Sequence, residues 1–441
     1  MNLNSKLCLS LGLLLSSFRA VNAQEVSPTE RRIVAAVNAG VADAGRLLVR
    51  AVNQNSGTFN LSGVRAVGRM FQQEYKRLGF RTRWIDGRAW GRAGHLVAEW
   101  RGNGQGPKLL FIGHLDTVFE RDSPFQRYQA LRDSSASGPG IIDMKGGNVI
   151  MLLALRSLKQ AGVLDEVQVT VVLTGDEEET GRPLDKSREA LIEAARWADI
   201  AIGFEDGDGN PKTAVIGRRG WTGWTLTTKG RPGHSSLIFK PDVGSGAIFE
   251  AARVLTAFRD SLAGEENLTF NPGLIAGGTT VTLEPTGERG AVFGKSNVIA
   301  DQAVVNGDLR TLTPDQRERA KGRMQAIVQR TYPLSEATIE FEDTYPPLEP
   351  TEGNRRLLEL FDQVSRDLGD NPVTAVNPAN AGAADVSFTA GLVDMAIDAL
   401  GLKGSGGHSV HETADLRTLP LQARRVAVLV ARLTQTRPPR T

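Results

Sequence analysis

Short apolar runs alternate with amphipathic stretches over the first half of the chain. Four apolar runs are compact enough to predict buried β-strands, at residues 96–100, 108–112, 167–173 and 200–204. Three stretches with an apolar residue every three or four positions predict helices, at 29–51, 64–78 and 147–159. Strands that alternate with helices indicate an α/β fold, in which a mixed, mostly parallel sheet is flanked by helices.

The pattern changes after about residue 217. A strand with alternating apolar and polar residues is followed by a helix, two strands and a charged amphipathic helix, at 221–228, 243–258, 279–283, 302–309 and 317–330. This β-α-β-β-α order predicts a small α+β sheet with helices on one face. Helical patterns return at 354–368 and 420–434. We therefore expect a main domain formed by residues 24–216 and 334–441, with a second domain inserted at 217–333.

The first 23 residues have the order of charge, apolar run and small residues that is typical of a secretory signal peptide. Lys6 precedes a mostly apolar run at 7–18, and Val21-Asn22-Ala23 fits a cleavage site. The run is too short to span a bilayer. We therefore expect cleavage after residue 23 and an exported protein, periplasmic or secreted, that has no membrane anchor.

Signal cleavage would change both the charge and the cysteine content. The loss of Lys6 and Arg19 leaves 50 basic and 50 acidic side chains, and the loss of Cys8 leaves no cysteine. A chain without net charge has no overall field that favours nucleic acid, so we expect no nucleic-acid partner. Stability without disulfides must come from a large core, bound metal or subunit contacts.

Polar residues directly follow the predicted strands. His114 and Asp116 come after the run 108–112, and residues two apart in an extended segment share a face. The Asp116 carboxylate can therefore orient a metal-binding imidazole, although a surface pair is the alternative. Asp143 lies in a glycine-rich turn at 138–147, where it can be a metal ligand or a helix N-cap.

Two acidic segments follow the other strands of the first half. Residues 176–179 are four consecutive acids, and Glu205 and Asp206 follow the run 200–204. The carboxyl ends of strands are where α/β sheets bind ligands. That position favours a functional site over a solvated run of charges.

Four of the five histidines stand beside glycine or acidic residues in predicted loops. These are His114, His234, His408 and His411, whereas His95 precedes a strand and is expected to be structural. Imidazoles and carboxylates without a thiolate suit zinc or a similar divalent ion. Two ions that share a carboxylate would polarise a carbonyl and lower the pKa of a water between them.

Taken together, these segments resemble one known family. The matching motifs are His114-Leu115-Asp116-Thr117-Val118, Asp143-Met144-Lys145-Gly146-Gly147, Asp176-Glu177-Glu178, Glu205 and Gly407-His408-Ser409. Their set and order are similar to those of the dizinc aminoacylase/carboxypeptidase family of metallopeptidases, most of all to its glutamate carboxypeptidase branch (carboxypeptidase G type). The resemblance implies a zinc exopeptidase-like catalytic domain and, at 217–333, a ferredoxin-like lid and dimerisation domain.

The resemblance also implies roles for the residues of the main domain. Asp143 would bridge two zinc ions. The remaining ligands would be His114 and Glu205 at one ion, and Glu178 and His408 at the other. Asp116 would orient His114, and Glu177 would be the general base. From the residues alone, His411 remains an alternative to His408, and Asp206 an alternative to Glu205.

Three further positions match family residues in the inserted domain. His234 would reach the active site of the partner subunit in a homodimer and stabilise the oxyanion. Asn297 and Arg310 would hold the substrate, with Arg219 as a weaker candidate for binding its carboxylate. A guanidinium binds a carboxylate bidentately, as an exopeptidase requires.

The resemblance therefore implies a zinc-dependent exopeptidase that cleaves an amide bond next to a free carboxylate and releases a glutamate-like C-terminal residue. Its substrate would be a small molecule or a peptide. An N-acyl-amino-acid amidohydrolase or a dipeptidase with the same metal centre is the enzymatic alternative. A periplasmic binding module that kept the fold without turnover is the non-enzymatic one.

Overall fold

The computed structural model describes residues 25–284, 287 and 289–435, so the predicted signal peptide at 1–23 lies outside the described residues. The described part of the chain contains these α-helices: α1 (Pro28–Asn53), α2 (Leu61–Leu78), α3 (Gly146–Gln160), α4 (Leu184–Trp197), α5 (Ala247–Leu262), α6 (Pro314–Val328), α7 (Glu352–Asp367) and α8 (Thr418–Leu433). None of the helices within the described residues combines the length and apolar character needed to span a membrane.

The strands are β1 (Arg81–Asp86), β2 (Gly94–Trp100), β3 (Lys108–His114), β4 (Gln129–Ala130), β5 (Ser135–Ser137), β6 (Gln168–Thr174), β7 (Ile200–Gly203), β8 (Thr213–Ala214), β9 (Gly220–Lys229), β10 (Thr269–Gly278), β11 (Thr280–Leu283), β12 (Gly290–Phe293), β13 (Gln302–Thr311), β14 (Glu336–Tyr345), β15 (Thr374–Ala375), β16 (Met395–Ile397), β17 (Gly404–Ser405) and β18 (Thr413–Asp415).

Six strands form the central sheet in the order β1-β2-β6-β3-β7-β16. The pairs β6–β3, β3–β7 and β7–β16 are parallel, whereas β2 runs antiparallel to both of its neighbours. Alternate residues of β3 enter different cores, because side chains of a strand point to opposite faces. Leu109 and Phe111 pack with α1, α3 and α8, and Leu110 and Ile112 pack with α4. The predicted α/β class with a mixed, mostly parallel sheet is confirmed.

Local signals explain where helix α1 begins and where helix α2 ends. Ser27 and Glu30 form a reciprocal capping box at the start of α1, which satisfies two N–H groups that a helix start leaves unpaired. Helix α2 ends at Gly79, which has a φ of 93° in the left-handed region. These two helices cover the sheet face that is opposite to α4.

A second, antiparallel sheet has the strand order β10-β13-β9-β14. Helices α5 and α6 share one core with it, built around Val254, Phe258 and Met324. With the β11–β12 hairpin set aside, the element order is β-α-β-β-α-β, the ferredoxin-like arrangement.

The sequence pattern missed two strands of this sheet. The predicted strand at 279–283 is part of the β11–β12 hairpin, and β10 takes the place that we expected for it in the sheet. Strand β14 pairs with β9 up to Tyr345. The sheet therefore continues past the boundary that we predicted at residue 333.

Candidate metal centre

The predicted ligands lie at the carboxyl-terminal edge of the parallel strands. His114 is the last residue of β3, Glu178 lies in the loop after β6, and Glu205 lies in the loop after β7. Asp143 lies in the turn before α3, and His408 lies in the loop between β17 and β18. Because parallel strands end at the same edge, these side chains converge although they are far apart in sequence.

The carboxylate of Asp143 stands between two histidines. Its Oδ1 lies 2.9 Å from His114 Nε2, and its Oδ2 lies 2.9 Å from His408 Nε2. Glu205 Oε1 lies 3.6 Å from the same nitrogen of His114, and Glu178 Oε2 lies 3.1 Å from that of His408. The ligand atoms therefore form two His–Glu pairs, and each pair faces one oxygen of Asp143.

These separations fit a pair of divalent cations. Two donor atoms bound to one tetrahedral zinc ion lie roughly 3.3–3.5 Å apart, and the nitrogen–oxygen distances of the centre range from 2.9 to 3.6 Å. Ligand atoms of His114, Asp143 and Glu178 all lie within 4.8 Å of one another. The residues would hold one cation through His114, Glu205 and Asp143. They would hold the second through His408, Glu178 and Asp143.

The charges of the centre also favour cations. Burial and repulsion from Asp143 raise the pKa of Glu178 to about 7, and burial raises the pKa of Glu205 well above its usual value. Hydrogen bonds to Asp143 and Glu178 raise the pKa of His408 to about 11. Binding of a cation must therefore displace any proton that the imidazole and carboxylate groups hold.

Asp116 lies behind His114 and is fully buried. Its main-chain oxygen is 3.1 Å and its Oδ1 is 3.4 Å from His114 Nδ1, so the other ring nitrogen faces the centre. The same carboxylate accepts the N–H groups of Glu177 and Glu178, each at 3.1 Å, and the hydroxyl of Thr58 at 2.7 Å. These contacts suit the orienting role that the resemblance implies for Asp116, and the same carboxylate also holds the acidic loop, which was not predicted.

Glu412 holds the turn that carries Asp143. This role of Glu412 was not predicted from the sequence. Its carboxylate accepts the main-chain N–H groups of Gly140 at 2.9 Å, Ile142 at 2.8 Å and Asp143 at 3.3 Å. Glu412 is buried and lies in the same loop as His408. Glu412 thus connects the turn that carries Asp143 with the loop that carries His408. Its position four residues after His408 was the available sequence signal.

A buried ion pair supports Glu205 and was also missed. Asp398 Oδ1 accepts the Glu205 N–H at 3.2 Å, and Asp398 Oδ2 lies 2.7 Å from Arg218 Nη2. Both side chains of the ion pair are buried. No local pattern connects two residues this far apart in the chain, so only the fold reveals the contact.

Glu177 stands beside the ligands with its carboxylate available. Its N–H donates to Asp116 at 3.1 Å, and its main-chain oxygen accepts the Tyr345 hydroxyl at 2.9 Å. Within the described residues, no hydrogen bond or ion pair engages its carboxylate. Burial, together with repulsion from neighbouring acids that include Asp385, raises the pKa of Glu177 well above its usual value. These properties suit a group that accepts and returns a proton.

The geometry distinguishes the two ligand alternatives. Both histidines are exposed, but His408 contacts Asp143 and Glu178, whereas within the described residues the imidazole of His411 contacts none of the proposed ligands. Glu205 faces His114. The neighbouring Asp206 instead packs beside Lys403, whose ammonium group donates to the Asp206 main-chain oxygen at 2.6 Å. The arrangement favours His408 and Glu205.

The four candidate residues of the second sheet region lie apart from this cluster. These candidates are His234, Asn297, Arg310 and Arg219. Among the described residues, no hydrogen bond or ion pair joins any of the four to the proposed metal ligands. His95, by contrast, is buried against Trp90 and its Nε2 lies 2.7 Å from the Ser187 main-chain oxygen, which is the structural role that we expected.

Comparison with known proteins agrees with this geometry. The profile of peptidase family M20/M25/M40 matches residues 110–432. Carboxypeptidase G2 of Pseudomonas sp. (strain RS-16) is 26% identical over 387 residues, or 87% of this chain and 88% of the relative. A probable succinyl-diaminopimelate desuccinylase of Staphylococcus epidermidis is 29% identical over 160 residues, or 35% of this chain and 36% of the relative.

The fold has solved counterparts as well. The crystal structure of aminopeptidase PepT from Bacillus cereus superposes with a TM-score of 0.69 at 17% identity, covering 89% of this chain and 98% of that one. The family match begins within β3 of the central sheet, and it includes all five proposed ligands and the whole second sheet. The chain therefore belongs to peptidase family M20/M25/M40 and is a metallopeptidase-type hydrolase.

Proposed function

We propose that this protein is a zinc-dependent carboxypeptidase that hydrolyses an amide bond next to a free carboxylate and releases a glutamate-like amino acid. The observation that carries the proposal is the Asp143 carboxylate, whose two oxygens face two separate His–Glu pairs. The similarity to Carboxypeptidase G2 over most of both chains supports the type of reaction. The preference for glutamate rests on the motif resemblance to the glutamate carboxypeptidase branch.

The chemistry divides between the metal and the chain. When bound at Asp143, a pair of zinc ions supplies Lewis acidity to the amide carbonyl and lowers the pKa of the attacking water. Glu177 accepts a proton from that water while the oxygen of the water bonds to the carbonyl carbon. Glu177 then returns the proton to the nitrogen as the C–N bond breaks. Asp116 and Tyr345 hold the main chain of Glu177 on both sides during the two transfers.

We assign the oxyanion role to His234 of the partner subunit, following the family resemblance. His234 is exposed, and its Nδ1 lies 2.8 Å from the Ser236 hydroxyl. The main-chain oxygen of Asn297 accepts the Ser235 N–H at 3.0 Å. Two of the proposed substrate-contacting residues therefore share one exposed surface, as a common site requires.

Arg310 is the stronger candidate for binding the free carboxylate. Its Nε lies 2.8 Å from Asp308 Oδ2, which leaves both terminal nitrogens for a bidentate contact. Arg219 already donates from both terminal nitrogens, to Thr269 Oγ1 at 2.9 Å and to the Ala379 main-chain oxygen at 3.1 Å.

A homodimer is part of the proposal. Large apolar side chains are exposed near one edge of the second sheet: Phe239, Ile248, Phe249, Ile275, Val292 and Phe293. Strand β10 is one of the two outer strands of that sheet, and an outer strand offers main-chain groups to a further strand. A patch of this kind suits a second copy of the chain. We also propose export, on the basis of the signal-like residues 1–23.

The match to the desuccinylase supports a second candidate, an N-acyl-amino-acid amidohydrolase with the same metal centre. A dipeptidase would also use this centre. The silent binding module is disfavoured because all five ligand positions and Glu177 are present.

A substrate panel tests the proposal directly. Mature protein reconstituted with zinc is assayed on N-acyl and peptidyl glutamates, N-acyl leucine, N-succinyl amines and dipeptides. We expect the highest kcat/KM for release of glutamate. A preference for N-succinyl amines would identify the amidohydrolase instead. Absence of hydrolysis from the whole panel, with two zinc ions bound, would identify the binding module.

A further inference from the structure

Tyr345 lies where the chain leaves the second sheet. It is the last residue of β14 and pairs with Trp221 at the start of β9. The two chain connections between the sheets run side by side at this point. Arg218 N–H donates to the Leu348 oxygen at 2.9 Å, and Leu348 N–H donates to the Arg218 oxygen at 3.0 Å. These paired connections form the junction between the two regions.

The hydroxyl of Tyr345 has three partners in the first region. It donates to the main-chain oxygen of Glu177 at 2.9 Å, and it lies 3.2 Å from Arg188 Nη2 and 3.3 Å from Thr180 Oγ1. A phenol can donate one hydrogen bond and accept two. The three contacts therefore use its full capacity and fix the position of the oxygen.

The partners of Tyr345 belong to a rigid, buried network. Arg188 is fully buried, and its Nη1 lies 2.8 Å from Asp176 Oδ1 while its Nε lies 2.9 Å from Asp385 Oδ1. The Tyr345 ring also packs on Phe388, with 5.2 Å between the ring centroids. These contacts fix the Tyr345 hydroxyl relative to the loop that carries Glu177.

The main chain of Glu177 is thus held from two directions. Asp116, which also contacts His114, accepts its N–H, and Tyr345 at the junction donates to its carbonyl. One contact belongs to the metal centre and the other to the end of the second sheet. Loss of the Tyr345 hydroxyl would therefore leave the carbonyl side of Glu177 without this support.

We propose that Tyr345, at the junction of the two sheet regions, is a positioning residue that places Glu177 for proton transfer. This inference rests on the proposed function, in which Glu177 is the general base. The hydroxyl acts through the main-chain oxygen of Glu177 and does not touch the reacting atoms.

The test compares Tyr345→Phe with a control at the same junction. Tyr345→Phe keeps the ring and removes the hydroxyl. The control, Arg182→Ala, removes the exposed 2.8 Å ion pair between Arg182 and Glu342 of β14, which does not touch Glu177. For both variants, kcat, KM, zinc content and amide hydrogen exchange of residues 175–180 are measured on the full mature chain.

We expect Tyr345→Phe to lower kcat about two- to tenfold, and to speed exchange of the loop by a similar factor, the range for one hydrogen bond. KM and zinc content should stay at wild-type values, and Arg182→Ala should resemble wild type throughout. Wild-type kcat and wild-type loop exchange in Tyr345→Phe would overturn the proposal, and so would loss of kcat caused by loss of zinc. If wild-type protein hydrolyses no substrate of the panel, the proposed function fails, and loop exchange alone then decides whether Tyr345 holds this segment.

Discussion

Replacement of Glu177 by glutamine tests the proton-transfer step, because it changes little else. The amide has nearly the same size as the carboxylate, and the main-chain contacts to Asp116 and Tyr345 remain. Within the described residues, the carboxylate has no hydrogen-bond or ion-pair partner to lose, and the 3.1 Å contact between Glu178 and His408 is untouched. The metal centre should therefore stay intact.

The expected loss of activity follows from the missing base. General acid–base catalysis contributes typically 10²- to 10⁴-fold, so we expect Glu177→Gln to lower kcat by about this factor. This loss corresponds to about 3–5 kcal/mol of transition-state stabilisation. The free energy of unfolding should not fall, because a neutral amide is easier to bury than a carboxylate.

The assay measures initial rates of glutamate release, together with zinc content by inductively coupled plasma mass spectrometry. Glu179→Gln is the matched control, since Glu179 is exposed in the same acidic segment and should keep wild-type rates. A Glu177→Gln variant with more than a tenth of the wild-type kcat, or one that has lost zinc, would refute the reasoning.

Three further changes test other parts of the site. Glu412→Ala removes the acceptor of three N–H groups in the turn of Asp143; zinc affinity should fall about 10- to 100-fold in a chelator competition, and unchanged affinity would exclude this support. His234→Ala should lower kcat about 10²-fold or more while zinc content stays normal, and an unchanged kcat would remove the oxyanion role. Burial lowers the pKa of Lys403 from 10.5 to about 8, so between these values the unfolded chain holds a proton that the folded chain lacks. The free energy of unfolding contributed by this group therefore rises with pH over that range. Denaturation at pH 8, 9 and 10 should show a smaller rise in Lys403→Met, and equal slopes would contradict the prediction.

The sheet class could be predicted from the sequence because it leaves local signals, and the residues proposed as ligands also stand at recognisable positions. Strand β3 is a compact apolar run, and His114 and Asp116 follow it with the spacing of one strand face. Glu178 and Glu205 follow two other buried strands in the same way. The convergence of these residues follows from the parallel arrangement, which places all the strand ends at one edge.

Apart from the position of Glu412 close to His408, the supporting residues left no such signal. Glu412 contacts Ile142 and Tyr345 contacts Glu177, although 270 and 168 positions of the chain separate these pairs. Strand β14 has alternating apolar residues at Ala337, Ile339 and Phe341, but Glu340 between them and the acidic residues on either side dilute the pattern. An outer strand of a sheet tolerates such charges, so its composition resembles that of a loop.

Zinc stoichiometry tests the central claim most directly. Native mass spectrometry of the mature protein at increasing zinc concentration should show two ions per chain. Asp143→Ala should lose both ions at the same free zinc concentration, because each His–Glu pair then lacks its third ligand. A single ion in the wild-type chain, or two ions retained by Asp143→Ala, would contradict a centre that is bridged by this carboxylate.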